Sequence, residues 1–361
     1  MRMDTKQKRF PTPSIPPPLQ TKCYESKIFT LNAKIAECKR LILSLPSLQC
    51  LYILKLREAF LSTYTQDMRV QFEDLFTPIP SEKKTLLIKR SSDYLKAIDY
   101  IDKIKADHKT NILVWEKLHS FVESHYNKAA HDVGHIRARQ NWIGPKNCTE
   151  KQAFFFPPPP QNLAPLLEQL NNYIDDKNEP LIQLGVAFAQ FLIIHPFMDG
   201  NGRVARLLPS YIFKKKGLLP CAIFSLTEYF LKNRLKYLKN LYLLTSKQKW
   251  KIWFNFYLRG VEEDLNLLHK NLKSLHRIVN RLSILQTMSL SSKESDKIVH
   301  FLFCNPVFTS SIFKKKTSLP FSKYKIIIST LVAHKILVKE KGSVYRFNAL
   351  VNLGKKRGPV F

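Results

Sequence analysis

His195-Pro-Phe-Met-Asp199-Gly200-Asn201-Gly202-Arg203-Val204-Ala205-Arg206 is the stretch on which the reading of this 361-residue chain turns. On its N-terminal side Leu181, Leu184, Phe188, Phe191 and Leu192 recur at helical spacing, with Gly185 and Ala189 between them. That pattern predicts a buried helix. The helix should stop near His195, because Pro196 disfavours the α conformation in the residue before it. Gly200, Asn201 and Gly202 tolerate positive φ at low cost, so their N–H groups can turn into one anion-binding concavity. A second helix is predicted from about Arg203 through Tyr211 to Lys216, with Gly217 at its C′ position and Pro209 bending it. Two core helices joined by a short polar loop point to a mainly α fold.

The loop carries chemistry that a plain turn would not need. Asp199 is a single carboxylate, and one carboxylate plus phosphate oxygens is a common way to hold Mg²⁺. Arg203 and Arg206 are three apart, so they share a helix face and can both reach phosphate oxygens. Neutral His195 can accept a proton from an incoming hydroxyl. Together these residues suit the attack of a hydroxyl on a metal-bound polyphosphate, driven by positioning and charge neutralisation.

The string resembles the Fic signature His-Pro-Phe-x-Asp/Glu-Gly-Asn-Gly-Arg-x-x-Arg at every fixed position. Gly134-His-Ile-Arg137-Ala-Arg-Gln-Asn-Trp142-Ile-Gly144 is similar to a segment found upstream of the family's active site, and Phe155-Phe-Pro-Pro-Pro-Pro160 to the Pro-rich stretch beside its β-hairpin flap. Asn233-Arg234-x-x-Tyr237 resembles an Asn-Arg-x-x-Tyr-Tyr segment, with Leu238 in place of the second Tyr. The similarity runs from about Glu58 to Val261. It implies a Fic-type helical bundle with a small β-hairpin flap, and transfer of AMP from ATP to a Ser, Thr or Tyr hydroxyl of a protein. By the same resemblance His195 is the base and Asp199 binds Mg²⁺. The nucleotide lies against Gly200, Asn201, Gly202, Arg203, Val204, Ala205 and Arg206, with Tyr237 near the adenosine. Doc kinases carry a Lys in this loop; Gly202 favours nucleotidyl transfer.

Relatives with an N-terminal inhibitory helix carry Ser/Thr-x-x-x-Glu-Gly/Asn, whose Glu pairs with the second motif arginine. Here Ser62 is followed by Gln66 and Asp67 at the corresponding positions. An amide cannot make the charged bidentate bond of a carboxylate to Arg206. Self-inhibition is therefore expected to be weak.

Along the chain, residues 1–22 read as a disordered Pro-rich arm. Residues 23–110 read as an N-terminal helical region with the degenerate inhibitory motif, 111–262 as the catalytic core, and 263–290 as a linker helix. In 291–361, helices at Lys297–Phe303 and Phe321–Lys335 precede an alternating Ile336–Phe347 stretch around Lys341-Gly342, a hairpin signature. That order suggests a winged-helix domain, in which Ser322, Lys323, Lys325 and Arg346 are candidates for phosphate contacts with DNA. A protein-contact or dimerisation role for this domain is the alternative.

Composition bounds the rest. Lys plus Arg number 58 against 28 acidic residues, a net charge of +30. The charge is scattered in short runs such as Lys214–Lys216 and Lys314–Lys316, as a solvated surface would also show. The six cysteines lack metal spacing and read as free thiols of a reducing cytosol. No segment is long enough to span a membrane. The expectation is a cytoplasmic enzyme with ATP as substrate, Mg²⁺ as cofactor and a protein as acceptor. Self-modification, homodimerisation, injection into a host cell, and transfer of UMP or phosphocholine remain open, as does a main role as a winged-helix DNA-binding regulator.

Overall fold

The computed structural model describes residues 14–64, 70–76, 82–126, 132–145 and 148–355. In chain order the helices are α1 (Glu25–Leu43), α2 (Tyr52–Thr63), α3 (Glu82–Lys103), α4 (Ile112–Glu123), α5 (Leu163–Asp175), α6 (Pro180–Ile194), α7 (Asn201–Ala205), α8 (Leu208–Lys215), α9 (Thr227–Lys232), α10 (Arg234–Lys247) and α11 (Trp250–Arg281). Then follow α12 (Ser292–Cys304), β1 (Val307–Thr309), α13 (Ser310–Thr317), α14 (Phe321–Ala333), β2 (Val338–Lys339), β3 (Val344–Arg346) and α15 (Asn348–Lys355). The chain divides into two compact units, one from Met1–Ala33 with Asp93–Asp264 and one from Lys34–Ser92 with Leu265–Phe361.

The first unit is organised around α6. Pro180 sits in its first turn, where a missing N–H costs nothing, and the Glu179 side chain accepts from the Leu181 N–H. Its side chains are buried nearly all round, from Leu181 to Ile194, as a helix apolar on every face must be. Gly185 lets α11 approach closely: a Cβ there would stand 2.8 Å from the Tyr257 ring and 2.9 Å from that of Phe254. Across this seam Trp253 Nε1 donates to the Gly185 carbonyl (2.9 Å) and Tyr257 Oη to that of Leu181 (2.9 Å). On another side Trp115 of α4 meets Phe191 and Tyr211 edge-on, at 5.6 and 5.3 Å between centroids, and donates to Asn171 Oδ1 (2.7 Å). The buried indoles thus have partners for their N–H groups.

Several sequence expectations are revised here. The helix expected from Arg203 to Lys216 starts at Asn201 and is split into α7 and α8. Pro209 lies in the first turn of α8, where it is tolerated, so the chain breaks just before it instead of bending through it. Gly217 does follow the end of α8 with φ +66°. No two-stranded flap forms among the described residues: Ile143 and Phe155 make one isolated antiparallel bridge. From Pro157 to Pro160 the chain has no N–H groups with which to extend a ladder. Residues 14–21 of the expected arm have a defined path, with the Ser14 carbonyl accepting from Gln190 Nε2 (2.8 Å). The expected linker helix is the second half of the 32-residue α11, whose start lies at Trp250.

In the second unit the C-terminal segment runs helix, strand, helix, helix, hairpin. The sheet order is β1-β3-β2, all antiparallel, with Phe308 opposite Tyr345. Phe301, Phe308 and Phe313 pack edge-on at 4.9–5.0 Å about Phe301 as its core. The hairpin is as read, turning at Gly342 (φ +71°). β1 and α13 were not foreseen, because a three-residue strand shows no usable alternation. In the N-terminal part, Ser62 is buried near the end of α2 and its hydroxyl donates to Glu58 Oε1 (2.8 Å). Gln66 and Asp67 lie outside the described residues. All six cysteines are free thiols.

Candidate active site

The site is built where α6 ends. His195 takes the left-handed conformation (φ 51°, ψ 60°) as the C-cap of α6, and its N–H donates to the Phe191 carbonyl. This left-handed turn ends the helix before Pro196. His195 Nδ1 lies 3.3 Å from the Leu192 carbonyl. A carbonyl only accepts, so Nδ1 carries the proton and Nε2 is left as the acceptor. Burial lowers the pKa of His195 to about 4, with the Arg137 charge adding to the effect. At neutral pH the ring is therefore an unprotonated base.

The loop that follows is locked by its own side chains. Asn201 is 1% exposed; its Oδ1 accepts from Phe197 N (2.9 Å) and its Nδ2 donates to Phe197 O (2.8 Å). Its side chain is thus spent on closing the loop. Gly200 has φ +77° and caps α7. Asp199 Oδ1 accepts from Gly200 N (2.6 Å), and the Asp199 side chain is 51% exposed. Val204 and Ala205 are fully buried and pack into the core, so their side chains do not line the site. Gly202 and Arg206 are partly exposed on the same turn.

Arg203 does something the sequence did not show. Its Nε donates to Glu123 Oε1 (2.5 Å), and its guanidinium lies over the Tyr126 ring at 3.8 Å. Glu123 is 1% exposed and was not among the candidates. His119, one turn earlier on α4, was also missed. Its ring stacks on Phe197 at 3.9 Å, it accepts from Gly134 N at Nδ1 (2.9 Å), and its Nε2 meets the Asp199 carbonyl (3.1 Å). The i, i+4 spacing of His119 and Glu123 on an otherwise apolar face was the available signal.

The segment 134–144 clamps the loop from the other side. Arg137 is 3% exposed; its Nε donates to the His195 carbonyl (2.9 Å) and its backbone N–H to that of Pro196 (2.9 Å). Asn141 Nδ2 donates to Phe197 O (3.1 Å). Burial lowers Arg137 to about 10, still well charged at neutral pH. Tyr237 stacks on Phe230 at 4.8 Å, close to Phe188 and Trp253. Burial raises its hydroxyl far above the ordinary value, against the pull of nearby Arg206.

Residues 113–213 match the family described as Fic/DOC. The matched segment, which holds the loop from His195 to Arg206, is a Fic-family domain. Among curated proteins this chain is 29% identical over 93 residues to "Protein adenylyltransferase fic-1" of Caenorhabditis elegans, covering 25% of this chain and 16% of that one. It is 37% identical over 79 residues to "Probable protein adenylyltransferase aq_aa38" of Aquifex aeolicus, covering 21% and 25%. The matched stretches therefore span a quarter or less of these relatives. Among solved structures, a Fic family protein from Desulfovibrio desulfuricans superposes with a TM-score of 0.54 at 14% identity, over 92% of this chain and 98% of that one. A Fic domain containing signaling protein from Bacteroides thetaiotaomicron gives 0.52 at 15%, over 68% and 97%. These two show the Fic fold. Among the described residues no helix is long and apolar enough to cross a membrane.

His119 makes the site's stability depend on pH. Burial lowers its pKa from 6.5 to about 4, so the folded chain holds it proton-free where an unfolded chain would protonate it. Its contribution is complete above pH 6.5 and is lost as pH falls toward 4. The loss is on the order of 3 kcal/mol from this group alone. The fall in melting temperature between pH 7 and pH 5 should shrink in His119→Gln, as scanning calorimetry would show; an equal fall in both proteins would remove His119 as the cause.

Proposed function

We propose that this protein is a protein adenylyltransferase, moving AMP from ATP to a hydroxyl of a protein. One observation carries the reading: His195 Nε2 is an unprotonated acceptor, fixed by the Nδ1 bond to Leu192, beside a locked loop bearing Asp199 and Arg206. In the reaction His195 Nε2 takes the proton of the acceptor hydroxyl. The oxygen forms a bond to the α-phosphorus, and the bond to the departing pyrophosphate breaks. The curated relatives named as protein adenylyltransferases support the donor assignment.

The chemistry of the donors fits Mg²⁺. Asp199 offers one half-exposed carboxylate, and no group of three or more metal-ligating side chains occurs among the described residues. A single carboxylate shared with substrate phosphates matches the way Mg²⁺ is usually held. When bound, the ion would neutralise phosphate charge; Asp199 would hold it. Arg206 would take the phosphate end, and Tyr237 would border the base.

We read the C-terminal helix–strand–helix–helix–hairpin as a winged helix. The DNA-binding alternative draws less support, because Lys323 is ion-paired with Glu294 (2.8 Å) and Arg346 with Glu340. The adenylyltransferase reading is tested by intact-mass analysis after incubation with ATP and Mg²⁺, including self-modification, with UTP and CDP-choline as competing donors. Adduct formation from UTP or CDP-choline alone would replace ATP as donor. Gln66 adds a second expectation: Gln66→Glu should lower adduct formation several-fold by supplying a carboxylate to the motif arginine. Equal rates in the two proteins would remove Gln66 from the account.

A further inference from the structure

Arg203 stands between two carboxylates that differ in kind. Glu123 on α4 is 1% exposed and accepts directly from Arg203 Nε at 2.5 Å. Asp199 is 51% exposed, and its Oδ1 lies 3.6 Å from Arg203 Nη2. That distance is an ion pair without a hydrogen bond, and Nη2 is buried with no hydrogen-bond partner among the described residues. The Tyr126 ring covers one face of the guanidinium at 3.8 Å. Gly200 permits the approach, since a Cβ there would collide with the Glu123 carboxyl group.

We propose that Glu123 is a positioning residue that keeps Arg203 off Asp199, and so keeps the Asp199 carboxylate available to a divalent cation shared with the nucleotide phosphates. The proposal rests on the reading of this loop as a Mg·ATP site. The physical reason is a competition. A buried pair attracts more strongly than a pair open to water, and the buried Glu123 cannot be left without its counter-charge. Arg203 is therefore held on the α4 side. Without the Glu123 charge, Asp199 is the anion that Arg203 Nη2 already faces. A shift on the order of 1 Å would convert that contact into a charge-assisted hydrogen bond. The arginine would then cover the oxygen a cation needs. This assigns Arg203 to loop architecture and leaves Arg206 as the motif arginine for phosphate.

The test measures ATP binding by calorimetry with Mg²⁺ and with EDTA, in wild type, Glu123→Gln and the double variant Glu123→Gln/Arg203→Gln. Wild type should gain affinity with Mg²⁺. Glu123→Gln should lose ~10-fold or more of that gain, the usual scale for a residue that supports a metal ligand. The double variant should recover it, because the competing cation is gone. A crystal structure of Glu123→Gln should show Arg203 hydrogen-bonded to Asp199. An unchanged Mg²⁺ gain in Glu123→Gln, or a double variant as impaired as the single one, overturns the proposal. If Glu123→Gln does not fold, the double variant, which buries no charge there, decides it: a folded double variant without the Mg²⁺ gain is the overturning result. Wild type that binds no ATP in either medium sinks the Mg·ATP reading itself, which separates the two failures.

Discussion

Replacing His195 by alanine should lower the rate of the proposed AMP transfer by ~10²–10⁴-fold, the usual scale of a positioned general base, with ATP affinity retained. The expectation follows from where the ring sits. His195 is a helix cap held by backbone bonds through its N–H and carbonyl, and neither bond uses the imidazole. Removing the ring therefore removes the acceptor without taking away the clamp on the loop. Quantifying adduct by intact mass over time, beside ATP affinity by calorimetry, separates the two effects. Transfer within threefold of wild type would refute the assignment of His195 as base. The rate should also stay flat from pH 8 to pH 6, because the base in the free enzyme is already unprotonated well above pH 4. A histidine with an ordinary pKa would show a fall near 6.5.

Trp253→Ala should cost ~3–5 kcal/mol of stability, as for other fully buried large aromatics. Trp253 has no exposed surface and packs against Phe188, Phe230 and Tyr257 on the seam between α6 and α11. Its N–H is a donor to the Gly185 carbonyl, so the substitution both opens a cavity and removes that bond. Urea unfolding followed by circular dichroism measures the loss. A cost below 1.5 kcal/mol, on the scale of a tolerated core swap, would show that the seam is not close-packed. Because α6 ends in His195, the same variant is expected to loosen the site as well as the core.

Much of this protein is legible from local pattern. The apolar run Leu181–Ile194, the Pro after His195 and the Gly-Asn-Gly turn place a buried helix, its end and a loop, and the structure has all three. The loop stood out as a candidate site as well, because residue types suited to metals and phosphates are adjacent in sequence. What failed locally did so for a physical reason. The break before α8 depends on where Pro209 falls in a helical turn, and β1 exists only because β3 pairs with it.

The sequence by itself determined a mainly helical chain and set His195, Asp199 and the two motif arginines together, since this is a matter of residue type and spacing along one loop. Only the tertiary structure decided that Arg203 turns toward Glu123, that His119 holds the Asp199 carbonyl, and that Asn201 is spent inside the loop. Glu123 lies 80 residues from Arg203. A contact at that separation is chosen by burial and charge in the packed core, forces that leave no periodic trace along the chain.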